Sequence, residues 1–309
     1  MLRFRRCEGT RSFRVHLKGT SCPMNVSAST GHFRIASYNV KNLFDNIDDP
    51  DTADEGTPAK PAVELKALAA VIDSSEADVL SLQEVENIEV LTEFRDKYGL
   101  AEEYPHLLLV EGNDRRGIDV AMMSKFPITN VKSHKDEVFE IPGQEPRGFL
   151  RDLLQADIEI PQYGPVRFFS AHLSSKIGGE RAEAMREAES KAARAIIKEE
   201  VKDFPGQKYV VMGDFNDSPD SKSVRTFLDK DSDDWALLDG FREEPGAVSY
   251  PTSEKTARKW GYKRIDQILM SPEMAATQVD QGVHKHQQSK VASDHWMVTA
   301  DFQLTEKAS

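Results

Sequence analysis

The chain has 309 residues, 39% hydrophobic and 30% charged, with a net charge of −12 and two cysteines. No apolar stretch approaches the ~20 residues needed to cross a bilayer, which excludes an integral membrane protein. The acid surplus disfavours loose coating of nucleic acid, yet it leaves room for an enzyme acting on phosphate esters, because phosphate contacts need only a local basic surface and a bound divalent cation.

Residues 1–30 carry Arg3, Arg5, Arg6, Arg11, Arg14 and Lys18 against Glu8, and hold both cysteines, Cys7 and Cys22. With a basic start but no apolar core to follow, they do not make a secretory signal. They read as a disordered extension, or an over-long start with Met24 as initiator, ahead of an organelle-targeting peptide. Residues 31–309 then form one catalytic domain near the size at which single cores stop growing. A monomer and a cytoplasmic location are favoured, although a body without cysteine can fold in either redox compartment.

Phe33 to Ser37 is a strand-like run ending at Tyr38-Asn39-Val40. Residues 45–61 are acidic and turn-rich, and read as a solvated loop capping the helix that begins near Pro61 rather than as a calcium site. Val63, Leu65, Leu68, Ala69 and Ile72 recur at helical spacing, and strand Ala77 to Leu82 follows, ending at Gln83-Glu84-Val85. A helix is expected at Ile88 to Lys97, then strands at Leu107 to Val110, Ile118 to Met123, Leu153 to Ile160 and Val166 to Ser170, the last leading into Ala171-His172-Leu173. Glu180 to Lys202 is the clearest helix, with Ala182, Met185, Ala188, Ala192, Ala195 and Ile196 on one face and solvent-facing charge on the other. Strands at Tyr209 to Met212, Ile265 to Leu269 and Trp296 to Phe302 adjoin Gly213-Asp214-Phe215-Asn216, Arg264-Ile265-Asp266 and Ser293-Asp294-His295. Strands come in groups as well as alternating with helices, and no internal repeat is present. The fold expected is α+β, two stacked mixed sheets covered by helices on both outer faces.

Polar residues at strand ends are where a rigid scaffold can aim side chains at one point. The acids, amides and imidazoles of the six motifs supply the parts of a metal-assisted phosphoester hydrolase. Their order and wording resemble the endonuclease/exonuclease/phosphatase superfamily, which includes deoxyribonuclease I, exonuclease III, neutral sphingomyelinases and inositol polyphosphate 5-phosphatases. The resemblance runs from about Phe33 to Phe302. Asn39 to Asp45, Asp48-Asp49-Pro50 and Arg116 to Ala121 look most like a bacterial branch known mostly by family alone. A four-layer sandwich is implied.

Glu84, at the end of a buried strand where a carboxylate is otherwise costly, is the best metal ligand for a hard cation, Mg²⁺ or Mn²⁺. The resemblance implies that Asn39 helps order metal and phosphate, that Asp214 orients or deprotonates the attacking water, and that Asn216 holds that carboxylate or the phosphate. It further implies that His172 donates to a phosphate oxygen and that Asp266 partners His295, while Asp294 stands near or on the metal. His134, His284 and His286 read as structural. In abasic-site and exonuclease III-type members an acid lies two residues after the asparagine, and Lys41 here counts against that subfamily. For substrate, Arg151 is the leading candidate, with Arg115, Arg116, Arg147 and Lys176, and the basic loop Lys255 to Arg264 carries Trp260 and Tyr262, able to hold phosphates and stack bases. The expected activity is phosphodiester hydrolysis, nucleic acid being the leading substrate. A phospholipid or inositol-phosphate phosphoesterase is the first alternative, and an inactive binding module the second.

Overall fold

Phe33 and Ile35 lie in one apolar core while Ala36, Tyr38 and Val40 lie in another, the two-residue alternation of a strand buried on both faces. That strand, β2 (His32–Leu43), is central to a seven-stranded sheet in the computed structural model, which describes residues 16–18, 31–47, 53, 56–230, 234–251 and 263–304. The other strands are β1 (His16–Lys18), β3 (Val79–Val85), β4 (His106–Leu109), β5 (Asp119–Ser124), β14 (Gln278–His284) and β15 (Met297–Gln303), in the order β1-β4-β5-β3-β2-β15-β14. A second, six-stranded sheet runs β12-β13-β11-β10-β9-β6, from β6 (Ile128–Lys132), β9 (Leu154–Ile160), β10 (Gly164–His172), β11 (Tyr209–Asp214), β12 (Leu238–Asp239) and β13 (Asp266–Met270). A hairpin of β7 (Phe139–Ile141) and β8 (Gln144–Arg147) stands apart.

Three apolar layers hold these sheets. The middle one interleaves Phe33, Ile35 and Val79 with Ile158, Phe168, Val210, Met212 and Ile268 between the sheets. The second buries α1 (Ala62–Ser75) and α2 (Ile88–Lys97) on the first sheet, and the third buries α3 (Glu180–Val201) and α4 (Lys222–Leu228) on the other. The result is the helix–sheet–sheet–helix sandwich expected from the sequence.

The differences are local. α1 starts after Pro61 with no side-chain cap hydrogen bond among the described residues, and much of the acidic loop expected to cap it lies outside them. Arg186 and Glu189 of α3, assigned from the sequence to its solvent face, are 4% and 1% exposed, because they grip the loop after β10. The leading segment showed no strand period, yet residues 16–18 pair antiparallel with β4 on its open edge. Such pairing uses backbone groups and leaves no side-chain signature over three residues.

Candidate active site

Along the face between the sheets, each central strand changes character in the same direction. β2 presents Phe33, Ile35, Ser37 and Asn39; β10 presents Val166, Phe168, Ser170 and His172; β11 presents Val210, Met212 and Asp214. β2 and β3 run parallel, as do β10 and β11, and antiparallel β13 sets Asp266 opposite Asp214. Register therefore gathers Asn39, His172, Asp214 and Asp266 at one end of the sandwich. Directly beneath is a buried layer in which Gln83 Nε2 donates to Ser81 Oγ at 2.9 Å and Ser81 bonds Ser170 across the sheets. Gly213 is required by that packing, since a Cβ there would fall 1.8 Å from the Ala171 carbonyl oxygen.

Asp214, 1% exposed, is the focus. Its Oδ1 accepts from the Asn216 amide at 2.8 Å, and its Oδ2 accepts from Asn39 Nδ2 at 3.0 Å. The same Oδ2 faces His172 Nε2 at 3.6 Å and His295 Nε2 at 3.8 Å. Asn39 Nδ2 also donates to Glu84 Oε1 at 3.2 Å, while its Oδ1 accepts from the Lys41 amide at 2.9 Å. Asn39, expected from the resemblance to help order or ligate the metal, is a donor here that straps two carboxylates together, while its oxygen accepts a backbone amide. Glu84 Oε2 accepts from the Asn42 amide at 3.1 Å. Asn216 Nδ2 turns to the Leu173 carbonyl at 2.9 Å, so its side chain braces the loop and its backbone serves Asp214. Lys41, Asn42, Glu84 and Asn216 all have φ between 52° and 65°, a strained state that costs of order 1–3 kcal/mol each and clusters at functional sites.

His295 Nδ1 lies 2.9 and 3.2 Å from the two oxygens of Asp266, which is fully buried. Burial would lower the imidazole's pKa, but the Asp266 and Asp214 carboxylates outweigh it and raise the value to about 10. Burial, against the opposing pull of His295, also raises Asp214. His172 goes the other way: burial, then Arg151 and His295, hold it well below the usual value, so it is a neutral ring.

These groups floor a cavity of about 620 Å³ whose walls include Glu84, Asp294 and five cations, Lys41, Arg116, Arg151, Lys176 and Lys263. Arg151 is 8% exposed, 3.5 Å from Asp114 Oδ2. Its Nε and His172 Nδ1 are buried atoms without a hydrogen-bond partner. Arg116 Nη2 donates to Asn42 Oδ1 at 2.8 Å, and Lys176 pairs with Asp217 at 2.7 Å. Arg147 is exposed on β8, and Arg115 is exposed outside the cavity wall. Trp260 and most of its basic loop lie outside the described residues. The loop's last member, Arg264, is 2% exposed and bound to Asp239 and Gln267, a structural role in place of the expected phosphate contact.

Ligand atoms of Asp214, Asp266 and His295 lie within 4.8 Å of one another, the only such trio among the described residues. Within this trio His295 Nδ1 is already hydrogen-bonded to Asp266 at 2.9 Å, so the three groups form an acid–imidazole chain able to move a proton, and the same atoms could hold a cation. Glu84 fits a hard cation: its carboxylate opens on the cavity, is oriented by two donors, and has no basic partner within 4.0 Å among the described residues. Asp294, exposed on the same wall, is the second carboxylate of the cavity not tied to a partner among the described residues. His134, buried against Gln155, is structural as expected.

Sequence reasoning missed Ser249 and Tyr250. Ser249 Oγ accepts the Ile265 and Asp266 amides at 3.0 and 3.1 Å, and the Tyr250 ring packs on His295 with centroids 4.9 Å apart. They sit outside any strong strand or motif, so only the three-dimensional contact reveals them. Lys60 was also missed; 5% exposed, it donates to the Lys41 carbonyl at 3.0 Å and so supports the bend that aims Asn42 at Glu84.

Among solved structures, the chain is similar to an endonuclease/exonuclease/phosphatase from Beutenbergia cavernae (20% identity, 88% of this chain and 72% of that one, TM-score 0.59). It is also similar to truncated Caenorhabditis elegans TDP2 (19%, 88% and 97%, 0.60) and to an AP endonuclease from Archaeoglobus fulgidus (17%, 88% and 100%, 0.58). At these identities the likeness shows a shared fold. No curated protein matches. The Endonuclease/Exonuclease/phosphatase family profile matches residues 34–306, which take in every strand-end motif and the strands of both sheets other than β1, and the chain belongs to that family.

Proposed function

We propose that the chain is a Mg²⁺- or Mn²⁺-dependent phosphodiesterase acting on nucleic acid. The observation that carries this is the convergence of Asn39, His172 and His295 on one buried oxygen of Asp214, beside a Glu84 with no cationic partner among the described residues. Asp214 Oδ2 stands 3.6 and 3.8 Å from the two rings, gaps that a water or a phosphoryl oxygen would close. Asp214 takes the proton of the attacking water. Doubly protonated His295, held by Asp266, offers positive charge to the phosphoryl group and a proton to the ester oxygen that leaves as its P–O bond breaks. Arg151 and His172 line the same cavity, and the Arg151 guanidinium, 3.5 Å from Asp114, supplies positive charge for a phosphate there. Glu84 and Asp294 would hold the cation, which when bound neutralises charge on the phosphate.

Nucleic acid as substrate is supported by five cations around one cavity in a chain of net charge −12, and by the nuclease named among the structural neighbours. The test is a panel of plasmid DNA, single-stranded RNA, a phosphatidylinositol phosphate and bis-p-nitrophenyl phosphate, with and without chelator. Metal-dependent cleavage of DNA or RNA supports the reading. Turnover of the phosphoinositide alone would replace it with the lipid alternative, and inactivity on all four would favour a binding module.

A further inference from the structure

His295 is held from two sides, and the proposed chemistry uses only one. Asp266 grips Nδ1. Tyr250 lays its ring against the imidazole, centroids 4.9 Å apart and planes inclined by 54°. The tyrosine is itself fixed by backbone: its amide donates to the Lys263 carbonyl at 3.2 Å, in an isolated bridge. Ser249, fully buried beside it, ties the same segment to both halves of the pair. Its Oγ accepts the amides of Ile265 and Asp266, and its carbonyl accepts the Trp296 amide at 2.6 Å. One dipeptide thus staples the strand bearing Asp266 to the segment bearing His295. The Tyr250 ring lines the cavity, and its hydroxyl makes no hydrogen bond among the described residues.

We infer that Tyr250 is a positioning residue for the phosphoester chemistry: its ring, not its hydroxyl, clamps the His295 imidazole so that Nε2 stays aimed at the oxygen of Asp214. A ring held by one hydrogen-bonded edge can still rock about that edge, and an aromatic face removes this freedom. This inference rests on the proposed role of His295.

The experiment measures kcat and KM for bis-p-nitrophenyl phosphate in Tyr250→Phe, Tyr250→Trp, Tyr250→Leu and His295→Ala, with melting temperatures as a check on folding. Tyr250→Leu should lower kcat roughly 5- to 10-fold, the worth of an aromatic pair expressed in rate, with KM little changed. Phe and Trp should restore kcat. A Tyr250→Phe variant as slow as Tyr250→Leu would overturn the inference, because the hydroxyl would then be acting on substrate. So would a Leu variant with unaltered kcat while His295→Ala is crippled. If His295→Ala itself turns over normally, the active-site reading fails first, and the two failures are told apart.

Discussion

Replacing Asp266 by asparagine removes one charge from the His295 pair and keeps one acceptor. In the native protein both carboxylate oxygens face Nδ1, at 2.9 and 3.2 Å, in a site where the ring is 6% and the aspartate 0% exposed. An asparagine oxygen can still accept from Nδ1, so what is lost is the charge-assisted share of the bond, about 1–2 kcal/mol. Expressed wholly in the transition state, that is a loss of roughly 5- to 30-fold in kcat. His295→Ala removes the proton donor itself and should cost about 10²- to 10⁴-fold. Because Asp266 works through the ring, the double variant should fall within about twofold of His295→Ala alone. The pH profile gives an independent sign. A negative neighbour favours the protonated form of acid and imidazole alike, and Asp266 raises both Asp214 and His295. Activity needs Asp214 ionised and His295 protonated, so Asp266→Asn should move the acid and alkaline limbs together toward lower pH, as macroscopic values of a coupled set. Steady-state rates on bis-p-nitrophenyl phosphate across the pH range would show this. Fully multiplicative losses in the double variant, or limbs that stay in place, would refute the pairing.

Chelation should abolish hydrolysis and leave the melting temperature almost unchanged, and Glu84→Gln should regain activity at high Mg²⁺; full activity in excess chelator would remove the metal from the reaction. Gly213→Ala should lower the melting temperature by roughly 10 °C or prevent folding, because its Cβ would meet a strand carbonyl at 1.8 Å; a near-native melt would show that β10 and β11 can separate there. Asp119, 3% exposed and hydrogen-bonded to the Gly112 amide, has its pKa raised to about 8 by burial. That contribution to stability is complete below the ordinary carboxylate range and lost as pH rises through about 8, so Asp119→Asn should melt higher than the parent in alkaline buffer and the two curves should converge in acid. Deleting residues 1–23 removes β1 and should leave activity intact with a small drop in melting temperature, since three residues on one sheet edge are lost; loss of activity would tie the leading segment to the site.

The strands that carry the chemistry were legible because each is an unbroken apolar run terminated by a rare polar motif, and burial on both faces leaves no other reading for Val-Leu-Ser-Leu or Tyr-Val-Val-Met. Helix α2 spans the expected Ile88–Lys97, and in the fold Asn87 caps it, its side chain accepting the Val90 amide at 2.8 Å. Elements whose stability comes from edges were not legible. β14 reads Gln-Val-Asp-Gln-Gly-Val-His, has no buried face, and exists because β15 offers it a partner. α4, seven residues long, is held by Val224 and Phe227 packing under α3 rather than by its own period. The same distinction holds in the site. Asp214, His172 and Asp266 announce themselves as polar residues where an apolar row should continue. Arg186, Glu189 and Lys60 are single charges among many on a charged chain, and their burial is decided by carbonyls and amides that arrive from elsewhere in sequence. Arg264 shows the converse error: a basic residue next to a motif was counted with the phosphate binders, whereas Asp239, 25 positions away, takes its charge into the interior. Sequence pattern therefore identifies residues that break a pattern. Residues that hold those in place, such as Ser249 and Tyr250 around Asp266 and His295, break none, and only the assembled fold distinguishes them from ordinary loop.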